Sequence, residues 1–256
     1  MPTWVVNFFE QGSEHLEDLR LFGFEHCLVL FLTVAGAAAL WQFREKFAHF
    51  RHHRALCRGT AILFLVNMAI FYGVFIVQGV YDWHIHLPLH LCFLTNFAMV
   101  YVLLTQNKKA FRIVYFFTWV GPLPAMLMPN TPTRFDRFQT IHFIISHHLL
   151  LLTGLYALFV LGWQIQKKDV LRAFLAGNIL FAFIFVFNYF CGTNYIMTTR
   201  LPEHIVQLFP FLRYLNYPIL WLEICGILGM YAAWLPAKKL QNTPKLRASA
   251  AVGETL

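Results

Sequence analysis

Gly59-Thr-Ala-Ile-Leu-Phe-Leu-Val-Asn-Met-Ala-Ile-Phe-Tyr-Gly-Val-Phe-Ile-Val-Gln-Gly79 is a run without a single charged side chain, and it decides the fold. At about 1.5 Å per residue, a helix of this length crosses a hydrocarbon core of ~30 Å. Comparable runs recur at 22–41, 86–105, 111–128, 140–162, 170–189 and 213–235. The pattern predicts an all-α protein, a polytopic seven-transmembrane-helix bundle. It forms one membrane domain over 1–236, followed by a disordered tail over 237–256. Span 111–128 is broken by Gly121, Pro122 and Pro124, breaks that membrane helices tolerate where neighbours or water satisfy the freed backbone groups.

Composition points the same way. Hydrophobic residues make up 59% of the 256, charged residues only 12%, and 28 are Phe. A soluble domain carries about twice that charged fraction, which excludes a separate soluble domain. Met1–Arg20 lacks a basic start followed by an apolar core, so the first span is expected to act as an uncleaved signal anchor. Segments 42–58, 106–112, 163–172 and the tail after 236 hold 15 of the 20 Lys and Arg residues. The alternate segments hold only Arg20, Arg134, Arg137, Arg200 and Arg213. Under the positive-inside rule this predicts an outside N-terminus and a cytosolic C-terminus. The net charge of +8 is then a topology signal and a contact for anionic lipid, and no nucleic-acid partner is expected. The host membrane fits a bacterial plasma membrane or an endoplasmic-reticulum-like one.

The five cysteines have no CxxC spacing, so neither a zinc ribbon nor a disulfide framework is indicated. Cys92 and His147 lie at matching depths from the outer ends of the third and fifth spans, about six residues or ~9 Å inside. Pro88 is expected in the first turn of the third span. Glu223 lies somewhat deeper in the seventh span, Asn188 ends the sixth, Glu25 and His26 begin the first, and Gln78 ends the second. The cytosolic halves are blander, with Asn67 the main exception. Polar groups at one depth on several helices are best accommodated by a shared interior cavity, here opening outward. Thiol and imidazole together are the minimum kit for covalent acyl chemistry.

Each residue also has a duller reading. A lone Cys such as Cys92 is usually a small apolar filler in a membrane helix, and His147 or His148 also reads as interhelical glue. Asn188, Asn194 and Tyr195 serve equally to cap the sixth helix and bind its loop. His86 and His90, four apart on one helix face, suggest a zinc-dependent lipid hydrolase with His147 or His142 as third ligand. No His-Glu-x-x-His pattern supports it, and no metal or other cofactor is expected. A non-enzymatic transporter or receptor would use Glu223 as its substrate or proton site. The seventh span has no Lys for a retinal Schiff base.

Leu87-Pro-Leu-His-Leu-Cys92, Phe111-Arg-Ile-Val-Tyr-Phe-Phe with Gly121, Phe138-Gln-Thr-Ile-His-Phe-Ile-Ile-Ser-His147 and Asn188-Tyr-Phe-Cys-Gly-Thr-Asn-Tyr195 with Pro202 and Phe209-Pro210 occur in that order. Over about 80–235 the chain resembles the YwaF-like integral membrane family, related to the transmembrane protein 164 acyltransferases. The resemblance implies transfer of a fatty acyl chain between phospholipid and lysophospholipid through a cysteine thioester. Cys92 would be the nucleophile and His147 the base. His148 follows where a small residue is more usual, which leaves open which histidine faces Cys92. Hydrolysis, run by Thr and His in a related group of similar layout, is the neighbouring reaction. On this reading Glu223 orients the histidine. Asn188, Asn194 or Tyr195 donates to the oxyanion, and His90 and His148 line the substrate site. Arg134, Arg137 or Arg200 holds a lipid phosphate.

Overall fold

The computed structural model describes residues 21–129, 137–201, 203–214 and 218–241. Every regular element among the described residues is a helix. The main ones are α1 (Phe24–Gln42), α2 (His53–Val77), α3 (Leu91–Thr105), α4 (Lys108–Val120), α5 (Phe138–Phe159), α6 (Lys167–Cys191) and α7 (Pro218–Gln241). Among the described residues, six helical stretches are long and apolar enough to cross a membrane: Phe24–Gln42, His53–Val77, Lys108–Leu127, Phe138–Phe159, Lys167–Cys191 and Ile219–Gln241. The protein is therefore an integral multi-pass membrane protein.

The third expected span is corrected. α3 has 15 residues and starts at Leu91, about 22 Å of helix, rather than at residue 86. Pro88 lies in a turn before it, between α3 and the short helix Trp83–His86. Asp82 starts that short helix by accepting the His84 backbone N–H at 2.8 Å, the ordinary N-cap arrangement. The second span begins at His53, earlier than residue 59, and α7 runs to Gln241, past the expected boundary at 236. Residues 242–256, Met1–Arg20 and Arg134 lie outside the described residues. The expected break in the fourth span is found at Gly121, where α4 passes into the short helix Pro122–Leu127.

α4 is the central helix. It packs against α3, α5, α6 and α7, and Phe111, Val114, Tyr115 and Phe116 from it are buried among Met99, Leu103, Leu150, Leu158 and Trp234. Asn107 starts α4 by accepting the backbone N–H groups of Lys109 and Ala110 at 3.0 Å. α4 and α5 meet closely at Gly154, where a built Cβ would lie 3.0 Å from Thr118 Oγ1. Small residues permit such approach where helices associate by contact rather than by water exclusion. The outward faces are apolar, as lipid requires: Ile179, Phe183, Val34 and Leu228 are all more than 60% exposed.

Polar ties fix the remaining pairs. His148 Nε2 meets Thr33 Oγ1 at 2.8 Å, joining α5 to α1. His26 Nε2 meets the Met126 carbonyl at 2.8 Å. Asn67 Nδ2 donates to Ser146 Oγ at 2.6 Å, joining α2 to α5. His53 Nδ1 meets Tyr156 OH at 2.6 Å, joining the same two helices at their other end.

Candidate functional site

Cys92 and His147 are brought together: His147 Nε2 lies 3.1 Å from Cys92 Sγ. His147 Nδ1 lies 2.6 Å from the Phe143 carbonyl one turn earlier in α5. A carbonyl oxygen only accepts, so Nδ1 carries the hydrogen, and in the neutral ring Nε2 is the acceptor for the thiol S–H. Phe143 also covers the imidazole with its ring, centroids 4.0 Å apart. His148 points elsewhere, to Thr33, the Val29 carbonyl and the Ile144 carbonyl. His147, not His148, therefore pairs with Cys92.

Cys92 is the second residue of α3, not a turn and a half inside a helix. The start of a helix presents N–H groups without intrahelical acceptors and the positive end of its dipole. The residue before it, His90, supplies no side-chain cap. Negative charge developing on sulfur, or on an oxygen beside it, thus meets a favourable field.

The Asn188–Tyr195 block holds the approach to α3. Asn188 is 1% exposed. Its Nδ2 donates to the Tyr195 carbonyl at 2.8 Å and to Thr198 Oγ1 at 2.7 Å. Its Oδ1 accepts from Thr193 Oγ1 at 2.6 Å and from the Tyr195 backbone N–H at 2.9 Å. Its capacity is thereby used within the loop. Tyr195 OH accepts the Leu87 backbone N–H at 3.0 Å and donates to the Trp83 carbonyl. Its ring meets His90 edge-on at 5.0 Å. Beneath, Ile184, Tyr195 and Ile196 pack on Leu87, Leu89, Leu91 and Leu94. Ile196 sits at φ 55°, a left-handed conformation unusual for a β-branched residue, held by these surrounding bonds. Asn194 is likewise committed, to Thr199 and Arg200. These residues form a clasp on the segment leading into Cys92.

Glu223 is not beside His147. Its Oε2 accepts from Asn178 Nδ2 at 2.8 Å, linking α7 to α6, while His147 Nδ1 is engaged by Phe143. Arg200 is exposed in the loop after α6. The zinc-ligand set does not assemble. His86 Nδ1 accepts the Asp82 N–H at 2.8 Å, and His142 stacks on Phe71 at 4.2 Å. Among the described residues no three His, Cys, Asp or Glu side chains converge as a metal cluster would.

Sequence reasoning missed several members. Nothing in the sequence marks the Phe143 carbonyl, because the bond is made by backbone. Asn178 was visible as an amide inside the sixth span. Asn96, one turn past Cys92 and so on its face of α3, is 1% exposed with Oδ1 unpartnered. A buried acceptor without a partner is rare enough to require a reason.

The bundle and its thiol–imidazole pair define a multi-pass helical membrane protein with a candidate nucleophile at a helix start. The TMEM164 family model matches residues 21–234, and the chain belongs to that family. No curated protein and no solved structure matches the chain.

Proposed function

We propose that this chain is a membrane-embedded phospholipid acyltransferase that works through an acyl-thioester on Cys92, with His147 as base. The bundle would have seven spans, α3 completing the third together with the segment before it, an outside N-terminus and a cytosolic C-terminus. The observation that carries the reading is the 3.1 Å contact between Cys92 Sγ and the unprotonated nitrogen of His147. Membership of the TMEM164 family supports it.

In the first half-reaction the thiol proton moves to His147 Nε2 as sulfur attacks the ester carbonyl carbon of a phospholipid. The carbonyl oxygen becomes an oxyanion within reach of the first-turn N–H groups of α3. The Phe143 carbonyl keeps the imidazolium oriented through Nδ1–H. The carbon–oxygen bond then breaks, and the departing glycerol oxygen takes the proton from Nε2. In the second half-reaction the hydroxyl of a lysophospholipid gives its proton to Nε2 and attacks the thioester, and sulfur leaves and is reprotonated. Water in place of that hydroxyl makes the same site a hydrolase. Asn96 Oδ1 is an acceptor on the Cys92 face for the incoming hydroxyl.

The test is intact mass spectrometry of the purified protein incubated with phospholipid, beside Cys92→Ala and His147→Ala. A hydroxylamine-sensitive adduct of one acyl chain on the unsubstituted protein, absent from Cys92→Ala, is expected. A Cys92→Ala protein that still exchanges acyl chains would sink the covalent reading.

A further inference from the structure

Among the described residues, five buried side-chain nitrogen or oxygen atoms have no hydrogen-bond partner, and three of them belong to Tyr72, Asn96 and His142. Asn96 Oδ1 has a use in the transfer step; the Tyr72 hydroxyl and His142 Nδ1 have none. His142 is only 5% exposed. One orphaned buried polar atom is rare enough to require a reason, and two at one level on neighbouring helices require a common one.

Two interhelical ties fix that level. His53 meets Tyr156 and Asn67 donates to Ser146, so α2 and α5 run antiparallel. Ser146 precedes His147, which puts the Asn67–Ser146 tie at the level of the reactive pair. Tyr72 lies five residues past Asn67 on α2, and His142 four residues before Ser146 on α5. Both are therefore about 6–8 Å beyond that tie, on the side away from Tyr156. The ring contacts agree. Phe71 stacks on His142 at 4.2 Å, and Phe93, next to Cys92 in α3, lies 5.6 Å from Phe71, 5.8 Å from Tyr72 and 6.3 Å from His142.

We propose that Tyr72 and His142 hold the phosphodiester of the glycerophospholipid whose ester meets Cys92, an assignment that rests on the acyl-transfer reading for its choice of substrate. The path from an ester carbonyl carbon to the phosphorus of such a lipid is about five bonds, ~6–7 Å when extended. That is the offset of the two side chains from the reactive pair. The Tyr72 hydroxyl donates to one non-bridging oxygen, and His142 donates to the other from Nδ1. The imidazole also supplies the positive charge that a singly negative diester favours. Phe71 and Phe93 flank it with apolar surface, where a hydrogen bond to an anion is stronger than in water. A buried water would satisfy the same two atoms without discriminating between lipids.

The experiment is native mass spectrometry of the full chain carrying Cys92→Ala, which binds without reacting, in neutral detergent with dioleoyl phosphatidylcholine or diolein. The phospholipid is expected to be retained about tenfold better than diolein, which lacks the phosphate. Adding Tyr72→Phe is expected to weaken phosphatidylcholine about tenfold, the loss of one hydrogen bond to a charged group. Diolein retention should not change, and the thermal midpoint without lipid should not fall, because an unsatisfied hydroxyl has been removed. His142→Phe is expected to weaken phosphatidylcholine at least as much. A purely structural role would instead lower both lipids and the midpoint together, which overturns the proposal. Equal retention of the two lipids also overturns it, as do folded Tyr72→Phe and His142→Phe variants that bind phosphatidylcholine normally; the two atoms are then water sites. If inorganic phosphate displaces phosphatidylcholine at equal concentration, the occupant is a free anion and the lipid assignment fails. Should His142→Phe not fold, Tyr72→Phe alone decides. A protein with Cys92 intact that forms no acyl adduct ends the thioester reading and leaves this binding comparison standing, whereas an adduct with equal lipid retention ends only the phosphodiester assignment.

Discussion

Tyr195→Phe removes one oxygen and tests whether the clasp holds the start of α3. That hydroxyl accepts the Leu87 N–H at 3.0 Å and donates to the Trp83 carbonyl, and the residue is only 1% exposed. Phenylalanine keeps the ring against His90 and Phe187, so packing is preserved and the Leu87 N–H is left without its partner. A buried donor stripped of its acceptor costs about 1–3 kcal/mol. Taking about 2 kcal/mol, local opening of the 83–93 segment becomes roughly thirtyfold more populated. Hydrogen–deuterium exchange of peptides covering 83–94 reads this directly, since protected amides exchange through such openings. The expected result is exchange about thirtyfold faster there, with 138–159 unchanged. A change below about threefold would refute the clasp. So would an equal change in Tyr189→Phe, a substitution on α6 at a side chain 73% exposed.

His147→Ala should slow acyl-adduct formation by about 10²–10⁴-fold, the usual range for a lost general base, measured by time-resolved intact mass. His148→Ala should leave that rate within about threefold and lower stability by about 1 kcal/mol, because it breaks the α1–α5 tie. Asn96→Leu should raise the thermal midpoint, since it replaces an unsatisfied buried acceptor by an apolar side chain of similar volume. It should slow transfer to lysophospholipid more than it slows adduct formation. Gly154→Ala brings a Cβ to 3.0 Å from Thr118 Oγ1 and should cost about 1–3 kcal/mol; adding Thr118→Ala should restore most of the lost midpoint. Asp82 accepts the His84 backbone N–H and then its ring, which holds the carboxyl below the usual carboxylate range. Because the folded-state value is the lowered one, the cap's contribution is full above about pH 4. It is lost as pH falls through the folded value. Amide protection at 83–86, corrected for intrinsic exchange, should therefore drop below about pH 4, and Asp82→Asn should remove that step.

The membrane class and most of the spans were legible because length and apolarity are summed properties, insensitive to any one contact. The Cys92–His147 pairing was legible for a related reason. Two costly polar side chains at one depth, on helices entering from the same side, have few other ways to be accommodated. What failed to show was local. The start of α3 moved to Leu91 because the Asp82 cap makes a separate short helix and Pro88 falls in the turn after it; hydropathy runs straight through both. The triad analogy assigns Glu223 to orient the histidine, yet neither the analogy nor its somewhat greater depth fixes which way its helix faces, and Asn178 on the adjacent α6 donates to it. For Asn188, Asn194 and Tyr195 the sequence supports two readings, oxyanion donors or loop binders. Their side-chain capacity is spent on backbone and threonine hydroxyls of their own loop and on the Trp83–Leu87 backbone, a partner no local pattern reveals.

The clasp also has a consequence in time. Leu87 is tied to a hydroxyl 108 residues later in the chain. When the ribosome has delivered α3 and even α5, the thiol and the imidazole both exist, but the turn that aims the first at the second has nothing to grip. Only after α6 and the loop behind it have been inserted can Tyr195 arrive. The tie on the segment before Cys92 is thus made only after α6 and its loop are in place, so a chain stalled short of that loop would lack the Tyr195 contact to Leu87.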